Sequence, residues 1–196
     1  MNVSSAPIAN RAAGLKRRPV MVVTLAATAI LAVLVAVLAT SGPASQVSAA
    51  SPLVGRTAPA IKGKAVNGSG DVSLSQLSGK WVLVNFAASW CVPCQQEMPQ
   101  LLDFSDQHAA RGDAVVLTVA YDEQNVPSLG SFLRSWHAAW PAVDDGSAVV
   151  NYGVGGLPES YLVDPAGTVV AKYVGGVKSA QLDSVITGAG GSAGGS

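Results

Sequence analysis

The chain has 196 residues, 49% hydrophobic and only 12% charged, a balance that excludes an intrinsically disordered polypeptide and points to an unusually apolar segment. Twelve Lys and Arg against twelve Asp and Glu leave no positive excess to hold a phosphate backbone, so composition argues against nucleic-acid binding. The zero net charge conceals a partition. Four basic residues (Arg11, Lys16, Arg17, Arg18) and no acidic one precede residue 51, so the remainder carries 8 basic and 12 acidic residues, a net −4.

Val20 to Ala39 is an uncharged run of 20 residues broken only by Thr24 and Thr28. At 1.5 Å rise per residue a helix of that length spans about 30 Å, the hydrocarbon thickness of a bilayer. The basic residues lie just before it, so the positive-inside rule keeps residues 1–19 in the cytoplasm and sends everything from Ser41 outward. The alternative is a cleaved signal peptide, for which Val47-Ser48-Ala49 offers a small-residue site, although the apolar region is longer than usual for one. Residues 20–40 are therefore expected to be a transmembrane anchor or uncleaved signal, and 41–52 a linker. Residues 188–196, five Gly, two Ser and two Ala, are expected to form a disordered tail.

Residues 53–187 remain as the soluble domain, long enough for a core without a disulfide framework. Ala60–Val66 and Asp71–Leu74 flank the turn-rich Asn67-Gly68-Ser69-Gly70 and predict an N-terminal hairpin extension. Trp81–Phe86 is a nearly continuous apolar run, the pattern of a buried strand. Met98, Leu101, Leu102 and Ser105 recur at helical spacing and predict a helix from about Val92 to Ala110. Ala114–Tyr121 reads as a second buried strand and Pro127–Ala139 as a helix presenting Leu129, Phe132, Leu133 and Trp136. Tyr161–Val163 and Thr168–Val174 are strands joined by the tight turn Asp164-Pro165-Ala166-Gly167. Lys178–Thr187 closes the domain as a helix. The order hairpin, βαβα, ββα implies an α/β fold with a mixed central sheet and helices on both faces.

The two cysteines stand in Trp90-Cys91-Val92-Pro93-Cys94, between a predicted buried strand and the start of a helix. A zinc site would need two more ligands, and His108 and His137 lack a paired-ligand spacing, so no metal is expected. A structural staple closing so small a ring gains only about 2 kcal/mol by the chain-entropy model. Redox chemistry fits best. Unpaired amides and the macrodipole at a helix N-terminus favour a thiolate, lowering the Cys91 pKa from about 8.5 toward 7 or below. Two intervening residues let the second sulfur reach the first.

The stretch Phe86-Ala87-Ala88-Ser89-Trp90-Cys91-Val92-Pro93-Cys94, followed by Glu97 and Pro99, resembles the active site of thioredoxin-fold proteins of the TlpA/ResA/DsbE type. Gly55-Arg56-Thr57-Ala58-Pro59 is similar to that family's opening segment, and Gly156-Leu157-Pro158-Glu159-Ser160-Tyr161-Leu162-Val163-Asp164 to its cis-proline loop and following strand. The resemblance implies a thioredoxin fold over 53–187 and an exported thiol:disulfide oxidoreductase without a bound cofactor. Cys91 would be the exposed attacking thiolate and Cys94 the more buried resolving thiol. Val92 and Pro93 would tune the redox pair, Pro93 suiting the first helical turn because its missing N–H would be unpaired there. Trp90, Leu157 and a cis Pro158 would receive an extended substrate. By itself the sequence permits an ordinary trans proline at 158.

Asn85 occupies a position where thioredoxins proper carry a buried, titrating aspartate, so that proton-handling role must move. The resemblance implies that it moves to Glu97. The other reading of Glu97 is a solvated helix-face glutamate. The expected partners are exported protein thiols or disulfides as substrates, a membrane thiol carrier as electron donor, and the membrane itself through the N-terminal helix. A reductant, for example of apocytochrome c thiols, is the first functional reading, and an oxidant that forms disulfides in exported proteins is the alternative. A peroxiredoxin lacks support because no Pro-x-x-x-Thr-x-x-Cys arrangement surrounds Cys91. A metal chaperone lacks a histidine near the expected loop.

Overall fold

The computed structural model describes residues 17–40, 46–47, 51–122 and 126–189, with side chains at 22–33, 51–122 and 128–189. The basic lead before Arg17, most of the linker, including Ser48-Ala49, and the tail from residue 190 lie outside the described residues. The chain divides into two compact units, 1–44 and 45–196. In the first, α1 (Arg17–Thr40) carries the apolar run. Its described side chains Val22, Val23, Leu25, Ile30, Leu31 and Val33 are all more than 60% exposed. The Thr28 hydroxyl donates back to the Thr24 carbonyl at 3.0 Å. Among the described residues no helix is long and apolar enough to cross a membrane.

The second unit is built around β4 (Trp81–Ala87), all seven residues of which are buried. A strand covered on both faces need not alternate polar and apolar residues, which accounts for its nearly unbroken apolar sequence. Through α2 (Val92–Ala109) the chain reaches β5 (Ala114–Ala120), parallel to β4 from Trp81↔Ala114 to Ala87↔Ala120. Through α3 (Val126–Ser135) it steps outward again to β6 (Ala142–Asp144), also parallel. Helices α2 and α3 share one core and so lie on the same face, as two successive crossovers of one hand in one direction require. From β6 the chain returns through α4 (Gly146–Tyr152) to β7 (Glu159–Val163), antiparallel to β4 on its other side, and β8 (Val169–Val174) pairs with β7. Strands β2 (Lys62–Ala65) and β3 (Asp71–Ser73) pair antiparallel beyond β6, and β1 (Gln46–Val47) borders β8, giving the order β1-β8-β7-β4-β5-β6-β2-β3. The last helix is α5 (Ser179–Gly188).

Successive residues of β4 feed two separate cores. Trp81 and Leu83 pack with Met98, Leu101 and Phe104 of α2, Leu129 and Leu133 of α3, and Leu182 and Ile186 of α5. Val82, Val84 and Phe86 pack on the opposite face with Ile61, Ala148, Tyr152 and Tyr161. There Phe86 and Tyr161 cross edge to face with centroids 6.1 Å apart, and Tyr152 and Tyr161 at 5.0 Å.

Neither β6 nor α4 is foreseen by the sequence reading, because three strand residues and two helical turns are too short to establish a period. The caps of α4 are nevertheless written in the chain. Asp145 accepts from the Ser147 and Ala148 amides at one end, and Gly153 takes a left-handed φ of 63° at the other. Helix α3 stops at Ser135, not Ala139, because His137 adopts φ 56°. The His137 and Ala138 amides then close back on the Arg134 and Leu133 carbonyls at 3.0 Å each, a Schellman cap with histidine where glycine is usual.

Far from the cysteines, buried His108 in the last turn of α2 lies 2.7 Å from Asp113 Oδ1 through Nδ1 and 2.9 Å from Asp183 Oδ1 of α5 through Nε2. Arg111 Nη2 lies 3.1 Å from the same Nδ1, so the ring sits among two carboxylates and a guanidinium. Burial works against the charge of Asp113, but the hydrogen bond and charge of His108, with Arg111 beside them, hold its carboxyl below the usual range. The stabilisation this carboxyl contributes is present above the ordinary carboxylate pKa and is lost as pH falls through the lowered value. His108→Ala, which also removes a ring packed 4.5 Å from Phe104, is expected to lower stability by about 2–4 kcal/mol in urea denaturation. A loss under about 0.5 kcal/mol would show that the clamp between α2 and α5 contributes nothing.

Candidate active site

Helix α2 starts where β4 ends, so its first turn stands at the carboxyl edge of the sheet. Cys91 is its N-cap, with φ −78° and ψ 102°, outside the helical region, and the Cys94 amide donates to Cys91 Sγ at 3.2 Å. The Gln95 amide donates to the Cys91 carbonyl at 3.2 Å and begins the helix. Cys91 and Cys94 are joined as a disulfide. The helix-terminal amide that now meets the bonded sulfur is placed to stabilise a thiolate once the disulfide is opened. Cys91 is not the exposed member of the pair: it is 3% exposed and Cys94 2%. In the disulfide form both sulfurs lie behind Ala87, Ala88 and half-buried Leu157, so what distinguishes Cys91 is its place at the cap.

The Leu157–Pro158 peptide bond is cis. Pro158 is buried and its carbonyl accepts from the Gly175 amide at 2.9 Å, which ties the loop to the end of β8. Trp90 and Val92, 58% and 59% exposed, form with exposed Pro93 an apolar rim beside the buried disulfide. Trp81 and Trp140 are core residues, and the Trp140 indole donates to Thr118 Oγ1 at 2.9 Å.

Glu97 does not lie on a solvated helix face; it is 3% exposed, one turn after Cys94 on the inner side of α2. The Val177 amide donates to Oε1 at 2.9 Å, and Asn85 Nδ2 to Oε2 at 3.2 Å. Burial pushes the carboxyl up to about 7, against the opposing pull of those two donors. Asn85 Nδ2 also donates to Ser160 Oγ at 3.0 Å.

A second buried carboxylate, Glu159, follows Pro158 directly and faces the opposite core. Its Oε1 lies 2.9 Å from Lys172 Nζ and 2.7 Å from the Tyr161 hydroxyl. Lys172 stands opposite Tyr161 in the β7–β8 ladder, with its ammonium 5.3 Å from the ring centroid. Burial, reinforced by Glu159, raises the Tyr161 phenol, which stays protonated. Nothing local in the sequence gives Glu159, Ser160 or Lys172 a role; the one signal is a glutamate placed immediately after the proline and before the apolar Tyr161-Leu162-Val163, in a strand that proves buried throughout.

The sequence profile of the AhpC/TSA family matches residues 54–172, more than half of the chain and all of the site except the Gly176–Val177 loop. The chain belongs to the AhpC/TSA family. Within it, the chain is 33% identical over 114 residues to "Thiol-disulfide oxidoreductase ResA" of Bacillus cereus, covering 57% of this chain and 65% of that protein. It is 32% identical over 128 residues to "Thiol:disulfide interchange protein DsbE" of Pseudomonas fluorescens biotype C, covering 64% and 68%. Among solved structures, the thioredoxin domain of a thiol-disulfide oxidoreductase from Bacteroides vulgatus superposes with a TM-score of 0.60 at 27% identity, covering 69% of this chain and 96% of that one. The chain thus spans just under two thirds of the length of the ResA relatives it matches.

For this family member, the position of Glu97 makes stability depend on pH in an unusual direction. The folded carboxyl keeps its proton up to about pH 7, while an unfolded glutamate releases it near 4.5. Between those values the unfolded chain binds fewer protons, so stability falls as pH rises and levels off above about 7. Glu97→Gln cannot titrate and is expected to abolish a decline on the order of 2–4 kcal/mol, seen by comparing urea unfolding of both proteins from pH 4.5 to 8. Parallel curves would mean that the carboxyl ionises normally.

Proposed function

We propose that the protein is a membrane-anchored, extracytoplasmic thiol:disulfide oxidoreductase whose Cys91–Cys94 pair exchanges disulfides with exported proteins. The observation that carries this is the cysteine pair at the N-terminus of α2, packed against Leu157 beside a cis Pro158. In the reducing direction, the Cys91 thiolate attacks a substrate disulfide, one substrate sulfur leaves as thiolate, and a mixed disulfide forms. Cys94 then loses its proton and attacks Cys91 Sγ, forming the enzyme disulfide and releasing the second substrate sulfur. Two electrons pass from the enzyme dithiol to the substrate, and a membrane thiol carrier restores the dithiol. Glu97, buried one turn from Cys94, is the group that accepts and returns the inner thiol's proton, and Trp90, Leu157 and Pro158 receive the substrate chain.

The relatives' names, oxidoreductase and interchange protein, support the chemistry without fixing its direction. Reduction of disulfides in exported proteins, such as one formed between the haem-attachment cysteines of apocytochrome c, is the reading that agrees with an anchor and with a buried proton acceptor. Anchoring is supported by the charge step across residues 16–20, by the bare apolar side chains of α1 and by the internally bonded Thr28 hydroxyl. Residues 1–19 would then be cytoplasmic, 20–40 membrane-embedded, 41–52 a linker, and 53–187 the working domain followed by a free tail. His108 does not complete a metal site with the cysteines. It lies about 21 Å along α2 from Cys94 and is already engaged by two aspartates.

Cys94→Ser is expected to accumulate mixed disulfides through Cys91 with exported proteins. Adducts appearing instead only in Cys91→Ser would reverse the two roles. A reduction potential of the pair below roughly −200 mV is expected for the reductant, and a value near −120 mV would establish the oxidant. Glu97→Gln is expected to shift the pH dependence of thiol alkylation in the reduced protein, and an unmoved profile would remove Glu97 from the proton path.

A further inference from the structure

Strand β4 contains one polar residue, Asn85, 1% exposed in a segment buried on both faces. A buried amide that lacks partners is costly, so its retention requires an explanation. Its partners come from two other elements: Glu97 of α2, and Ser160, fully buried and directly opposite Asn85 in the β4–β7 ladder. The Val177 amide of the loop before α5 donates to the other carboxyl oxygen, and Gly176 of the same loop lies beside the Glu97 side chain. Burial raises the pKa of this carboxyl, and the Val177 amide and Asn85 lower it. Asn85 therefore supplies the side-chain donor to this carboxyl.

A carboxylate only accepts, so Asn85 must present Nδ2 to Glu97 and not Oδ1. Nδ2 carries two hydrogens. One goes to Glu97 Oε2 and the other to Ser160 Oγ, which holds the amide plane in register with the carboxyl. We propose that Asn85, braced by Ser160, is a positioning residue for proton transfer: it fixes Glu97 Oε2 and stabilises the carboxylate, so that Glu97 can take a proton from the inner thiol and give it back. This rests on the reading of Glu97 as the proton acceptor. It adds that an amide, itself unable to titrate, sets where that acceptor works. Asn85→Ala leaves the desolvation of Glu97 in place and removes one of its two donors. The loss of a charge-assisted hydrogen bond is worth about one pH unit or more at the carboxyl.

The test follows the carboxyl itself, by the infrared stretch of the protonated acid against pH, together with the pH profile of thiol alkylation, in reduced full-length protein and its variants. Asn85→Ala is expected to move the Glu97 midpoint up by about one unit, and Ser160→Ala to move it in the same direction by less. Asn85→Asp, of the same shape but without the donor, is expected to hold one shared proton to still higher pH, since two carboxyls would face each other. In a Glu97→Gln background, Asn85→Ala is expected to leave the alkylation profile where Glu97→Gln alone put it. If Ser160→Ala and Asn85→Asp fold but leave the carboxyl midpoint unmoved, the positioning role is overturned, whatever their effect on thermal stability. If instead the carboxyl midpoint moves in these variants while Glu97→Gln leaves the alkylation profile unmoved, the positioning of Glu97 stands and the proton-acceptor reading fails.

Discussion

A carboxyl group taken out of water must find donors or keep its proton, and Glu97 stands between these outcomes. Its two donors come from different parts of the fold, the Val177 amide from the loop between β8 and α5, and Asn85 from the central strand. For both to converge, α2 must pack on the face of the sheet that carries Asn85, the β8–α5 loop must reach its first turns, and β7 must bring Ser160 opposite Asn85. The large apolar residues of α2, Met98, Leu101 and Phe104, hold the helix in that position through the core they share with α3 and α5. Burial of one carboxyl thus places demands on much of the sheet.

The same geometry accounts for the asymmetry of the cysteine pair. Both sulfurs are equally hidden in the disulfide, so exposure does not tell them apart. Cys91 occupies the cap, where the Cys94 amide meets its sulfur, whereas Cys94 sits inside the first turn on the face that also carries Glu97. The two cysteines therefore meet different surroundings by their places on one helix. Trp90, Val92 and Pro93 form an exposed apolar rim around that helix start, whereas Glu97 is buried one turn further along.

Much of this architecture is legible along the chain where elements are long or chemically distinctive. Trp81–Phe86 announces a doubly buried strand through its unbroken apolar run, and the cysteine spacing marks a helix start. The phase of α2 is less legible. Met98, Leu101, Leu102 and Ser105 suggest one face, yet the buried stripe runs through Cys94, Glu97, Met98, Leu101, Phe104 and His108. That slight rotation is the difference between a solvated and a buried glutamate. Similarly, β6 and α4 escape detection because their stability comes from neighbours: Gly63 of β2 passes so close to the Asp144 carbonyl that no side chain would fit, and Asp145 caps α4 while accepting from the Lys62 amide at 2.9 Å.

Local chemistry determined what could be read from the sequence alone: the charge step before an apolar run, the strand–Cys–x–x–Cys–helix order, and a proline-led strand able to face it. These depend on nearest neighbours along the chain, on helix and strand periodicity, and on amides that any helix leaves unpaired. Tertiary structure alone decided which polar groups left water and whom they met there. Asn85, Glu97 and Ser160 lie 12 and 63 residues apart in sequence, and His108 meets Asp183 75 residues on. No local pattern encodes these meetings, because desolvation is a property of a place in the folded sheet and exists only when distant segments close over it.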